Sequence, residues 1–201
     1  MLADTAQLYS DVFTPELFVL LCGICLIGYE WYGLADRSPV GLGARLGVLA
    51  LGWTVGLAIY EGVPLLFEST PTWASDATGS AGLGVGILGI WLSWRRFGWG
   101  EHVPGFSALL VGVTVPHLLI TPFWDISTHV LYAVVPAGYL VLVDRRFAPL
   151  ALVALGMVVA RPLAGAHTWP QSVAGLLLGI AFVAASRRYD SERRQRSSVP
   201  R

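Results

Sequence analysis

Seven apolar runs, separated by short polar breaks, fill this chain from residue 15 to residue 186. They lie near 15–33, 43–60, 80–94, 104–121, 127–143, 147–160 and 170–186. About 20 apolar residues suffice for a helix to cross a bilayer, and a helix satisfies its own backbone there. The third run is glycine-rich and the sixth is short. The expected fold is therefore an all-α membrane bundle of six to seven transmembrane helices. Charged residues are 13% of the chain and mean hydropathy is +0.63, where a soluble domain carries about 25% charge. The runs group into an N-terminal part, 1–103, with about three spans, and a core, 104–186, with about four. An arginine-rich tail, 187–201, is expected to be disordered or to lie on anionic headgroups. Gly82 and Gly86, and again Gly175 and Gly179, have the small-xxx-small spacing of closely packed helices.

All 13 basic residues are arginine, balanced by 13 acidic ones. Without lysine there is no Schiff base to retinal or pyridoxal phosphate and no phosphate-loop lysine. The arginines also set the topology. Arg37 and Arg45, Arg95 and Arg96, Arg145 and Arg146, and the six from Arg187 to Arg201 fall in alternate loops. The positive-inside rule makes those loops cytoplasmic. Seven spans then put the N-terminus outside and the C-terminus inside a plasma membrane. The outer loops and N-terminus hold Asp4, Asp11, Glu16, Glu61, Glu68, Asp76 and Asp125. The acidic start does not read as a cleavable signal peptide. Trp31, Trp91, Trp94 and Trp99 inside, with Trp73, Trp124 and Trp169 outside, read as interfacial belts. Cys22 and Cys25, in one apolar run, read as small buried residues. Nothing suggests nucleic-acid binding.

Arg161 is the one arginine on the outer side. The segment 160–175 reads ARPLAGAHTWPQSVAG, with His167 and Gln171 after Arg161. At the outer start of span five stands Ile126-Ser127-Thr128-His129. One span goes in and one returns between the two histidines, so both reach the outer face. This arrangement resembles the type 2 phosphatidic acid phosphatase and vanadium haloperoxidase superfamily. Its third motif, Ser-Arg, five residues, His, three residues, Asp, aligns with Ala160, Arg161, His167 and Gln171. Its second, Pro-Ser-Gly-His, aligns with Ile126 to His129. Ala174 and Gly175 follow as in the family. The first motif, Lys, six residues, Arg-Pro, falls on Thr114 and Thr121-Pro122, which keep only the proline.

Phosphoryl chemistry can also be argued from the residues. A lipid phosphate carries about two negative charges. Arg161 offers a planar fork for its oxygens. Spans five and seven would both start on the outer side and direct free N–H groups at one pocket, with Ser127 adding a hydroxyl. The resemblance implies that His167 is the nucleophile, forming a phosphohistidine, and that His129 protonates the leaving oxygen. Gln171 stands where an aspartate orients the nucleophile, and Asp125 is the expected substitute carboxylate. Thr128, Thr121 and Thr114 complete the expected substrate site. The implied activity is hydrolysis of a lipid phosphate or isoprenoid diphosphate at the extracytoplasmic face. It needs no metal or cofactor, and its partners are the bilayer and its lipid substrate. One alternative is a catalytically degenerate member that binds lipid headgroups, a membrane protein or a second copy of itself. Another is a haem- or quinone-binding subunit using His117, placed near mid-membrane, and His129.

Overall fold

The computed structural model describes residues 1–66 and 74–197, and among them every regular element is helical. Eight α-helices follow in chain order: α1 Leu2–Val12, α2 Pro15–Tyr32, α3 Pro39–Gly62, α4 Ala74–Phe97, α5 His102–Ile120, α6 Thr128–Val143, α7 Ala148–Leu163 and α8 Trp169–Ser197. Short 3-10 turns occupy Pro64–Leu66 and Arg145–Phe147. Helices α2 to α8 coincide with the seven apolar runs. Their starts follow local chemistry. The Thr14 and Ser38 hydroxyls accept from the backbone N–H of Leu17 and Gly41, and Pro15 and Pro39 open the first turns.

Among the described residues, five segments are long and apolar enough to cross a membrane: Pro15–Tyr32, Pro39–Leu66, His102–Ile120, Arg145–Leu163 and Trp169–Tyr189. Helix α6 is apolar but shorter. It is also the most enclosed, with ten of its sixteen residues buried against α2, α5, α7 and α8. Elsewhere large apolar side chains face outward, among them Leu152 at 70% exposure and Leu51 at 65%. Faces of that kind are compatible with a membrane protein.

The expected glycine contacts form. A methyl group on Gly86 would strike the Gly52 carbonyl, and one on Gly82 the Gly56 carbonyl, so α3 and α4 touch backbone to backbone. Gly175 and Gly179 let α8 lie against Val130 and Val134 of α6.

Two features go beyond the sequence reading. The N-terminal segment, to which the sequence reading gave no element, forms α1 and packs on α7. The Tyr9 hydroxyl donates to the Val153 carbonyl at 2.8 Å, and buried Ala6 and Ser10 make the contact stripe one turn apart. Residues 187–197 continue α8 as helix, which differs from the disordered form of the expected tail. The arginines and glutamate there are good helix formers, and no glycine or proline interrupts them before Pro200. Residues 198–201 of that tail lie outside the described residues, as does Trp73 of the expected outer belt.

The end of the bundle away from Arg161 is tied by one carboxylate. Glu30 accepts from the backbone N–H of His102 at 2.6 Å and Val103 at 3.3 Å, and from Trp94 Nε1 at 3.2 Å. It thus caps α5 from another helix. Trp94 is fully buried there.

Candidate functional site

The end of α7 is built to return the chain onto itself. Gly165 has φ +72°, a left-handed conformation that suits glycine and ends the helix. The Arg161 carbonyl then accepts from the N–H groups of Ala166 at 3.2 Å and His167 at 3.4 Å. This turn lays the His167 ring beside the Arg161 side chain. Arg161 Nη2 lies 3.3 Å from His167 Nδ1. From the α5–α6 connection, Asp125 Oδ2 comes to 3.5 Å of His167 Nε2. His129, one residue into α6, lies within electrostatic reach of both Arg161 and His167. Four of the expected residues thus meet at one end of the bundle, drawn from the α5–α6 loop, the start of α6, the last turn of α7 and the α7–α8 turn.

One hydrogen-bond contact, from Arg161 to Nδ1, sets the tautomer of His167, while Asp125 faces Nε2 at ion-pair distance. A guanidinium can only donate, so His167 Nδ1 holds the lone pair and Nε2 carries the hydrogen, facing Asp125. The His167 side chain is only 5% exposed, while that of Asp125 is 48% exposed. Burial pushes the His167 ring below its ordinary value, and the Arg161 charge adds to that. Asp125 opposes both.

Gln171 does not join this group. Its Oε1 accepts from the Thr168 backbone N–H at 2.7 Å and the Thr168 hydroxyl at 3.0 Å. It folds back on the start of α8 as a cap, and the carboxylate that faces His167 is Asp125. The reason is position: Gln171 belongs to the first turn of α8, where free N–H groups compete for its oxygen.

The three threonines also turn elsewhere. Thr128 Oγ1 is 3.2 Å from His117 Nε2, and Ser80 Oγ is 3.1 Å from His117 Nδ1. The Thr121 hydroxyl donates to the His117 carbonyl at 2.8 Å. Thr114 donates to the Leu110 carbonyl at 2.9 Å, so the Tyr132 hydroxyl, 2.7 Å away, donates to Thr114. These groups form a buried polar cluster beside the Arg161 site. His117 is fully buried in it, and sits one turn from the end of α5 rather than at mid-helix. Both its ring nitrogens are engaged, which leaves neither free for a haem iron. Among the described residues no group of three His, Cys, Asp or Glu side chains could hold a metal ion.

Ser127 precedes α6 but does not cap it with its side chain. Its N–H donates to the Gln171 carbonyl at 3.4 Å, and its fully buried hydroxyl has no hydrogen-bond partner. Ser172, in the first turn of α8, is also fully buried with an unpartnered hydroxyl. Sequence reasoning missed Ser172, Ser80 and Tyr132. Ser172 had a signal, since it shares a helical face with Gly175 and Gly179. The other two had none, because an isolated serine or tyrosine in an apolar run carries no pattern.

No protein-family model matches this chain, and no curated protein or solved structure is significantly similar to it.

Proposed function

We propose that this chain is a divergent lipid-phosphate phosphatase of the type 2 phosphatidic acid phosphatase kind, hydrolysing a lipid phosphate or isoprenoid diphosphate. The observation that carries the reading is the meeting of Arg161, His167, His129 and Asp125 at one end of the bundle. Arg161 binds phosphate oxygens through its fork. As Arg161 turns its N–H from His167 to the phosphate, the freed Nδ1 lone pair attacks phosphorus, the new N–P bond forms, and the bond from phosphorus to the leaving oxygen breaks. His129 gives that oxygen a proton. Water then attacks the phosphohistidine, with His129 taking the proton back, and free phosphate leaves. Asp125 holds the Nε2–H and offsets the positive charge that grows on the ring.

This assignment makes Nδ1 the nucleophilic atom, with the orienting carboxylate in the α5–α6 loop rather than one turn into α8. By the arginine pattern, seven spans put the N-terminus outside, the C-terminus inside, and this site on the extracytoplasmic face of the plasma membrane.

A second reading has a specific observation in its favour. Thr114 and Thr121 stand in place of two cations and hydrogen-bond within the bundle, so Arg161 is the only arginine of the group. A site of that charge suits headgroup binding without turnover. One assay separates the two. Phosphate release from phosphatidic acid and from an isoprenyl diphosphate is measured with the purified chain beside His167→Ala. Release that the variant abolishes supports the enzyme. Equal background release from both proteins, with lipid still bound, supports the binder.

A further inference from the structure

Helices α6 and α8 run side by side in the same direction, in a register set by small residues. Gly175 lies on Val130, Gly179 on Val134, and Gly138 on Val183. The next step brings Leu142 level with Arg187. At this end α6 stops at Val143, whereas α8 continues to Ser197. The step between the two helices leaves a groove of about 660 Å³, far from the Arg161 site. Its walls are apolar, formed by Gly138 and Leu142 of α6 and by Ile180 and Ala184 of α8. At its mouth stand Arg187 and Arg188, both exposed. Ligand sites generally enclose about 300 to 1,000 Å³, so the groove has room for an acyl chain.

We propose that this groove holds one anionic glycerophospholipid, with an acyl chain against the α6–α8 wall and its phosphate on Arg187 and Arg188. The two ends of the groove match the two ends of such a molecule. Apart from Ser191, whose hydroxyl donates to the Arg188 carbonyl, the wall is apolar, and the mouth offers two fixed positive charges. A zwitterionic lipid presents its own cation to the same arginines and binds less well. In the topology set by the arginines, the lipid comes from the cytoplasmic leaflet. The inference does not depend on phosphatase activity, since it uses none of the Arg161, His167 or His129 side chains.

The test uses the full chain in neutral detergent, with bound lipid counted by native mass spectrometry. Dioleoyl phosphatidylglycerol, dioleoyl phosphatidylcholine and inorganic phosphate are titrated separately and in competition. Phosphatidylglycerol is expected to bind roughly 30-fold more tightly than phosphatidylcholine, since about 1 kcal/mol for each of the two arginines multiplies to that gain. Arg187→Gln with Arg188→Gln removes that preference, and Ala184→Trp, which fills the groove, weakens both lipids. Equal binding of the two lipids by the unaltered chain overturns the proposal, whatever the variants do. Displacement of phosphatidylglycerol by an equal concentration of inorganic phosphate also overturns it, as would unchanged lipid binding in the folded Ala184→Trp protein. The assay involves no turnover, so a chain without phosphatase activity can still pass it.

Discussion

Replacing Asp125 by Asn tests the geometry of the site with little change in shape. The carboxylate faces the Nε2–H of His167 at 3.5 Å. Two unit charges at that distance attract by about 5 kcal/mol at an effective dielectric of 20 and by about 1 kcal/mol in water. Because the Asp125 side chain is 48% exposed, the lower part of that range applies. About 2 kcal/mol of stabilisation of the charged ring in the transition state corresponds to roughly a 30-fold fall in kcat. The pH dependence has a definite sign. Burial and Arg161 lower the His167 ring below 6.5, and Asp125 raises it. In the proposed reaction the neutral ring is the nucleophile, so activity is expected to fall as pH drops through the folded value, which lies below 6.5. Asp125→Asn removes an influence that raises this value, and the acid limb moves to lower pH. The assay is phosphate release from phosphatidic acid across pH 4 to 8, with pH limits chosen to bracket an ordinary histidine at about 6.5. A variant with unchanged kcat and an unmoved acid limb would refute the role given to Asp125.

Other substitutions probe the framework. Gln171→Asp introduces the acidic residue of the phosphatase motif that the segment resembles, yet Gln171 caps α8 through Thr168. It is therefore expected to change kcat by less than about threefold, while Gln171→Ala costs about 1 kcal/mol in unfolding experiments. Gly165→Val forces a branched side chain into φ +72°. The strain costs about 1–2 kcal/mol, and the shifted turn carries His167 off Arg161, so stability and phosphate release fall together. Glu30→Ala strips the acceptor from three N–H donors at the opposite end of the bundle. Thermal unfolding in detergent should show a loss of about 3 kcal/mol, with kcat of the folded protein unchanged.

The bundle was legible because hydrophobic run length is a direct readout of a span, and all seven runs became helices. Helix α1 was not, since its short contact stripe of Ala6 and Ser10 sits among polar residues. In the site, spacing carried Arg161 to His167, for six residues around a glycine turn is a local property. Asp125 was legible as a substitute by its place on the outer side, four residues before His129. The partners of Gln171 and the threonines were not legible. Whether a hydroxyl or amide serves a ligand or a neighbouring backbone depends on rotamers and helix rotation, which sequence spacing leaves open.

The central claim is that His167 carries the phosphoryl group during turnover. The direct measurement is to react the full chain with phosphatidic acid, quench in alkali to preserve phosphohistidine, and map the modified residue by tandem mass spectrometry. The account predicts phosphate on His167, joined through Nδ1, with none in His167→Ala. Phosphate release at an undiminished rate from His167→Ala, or a phosphoryl group on any other residue, would contradict it.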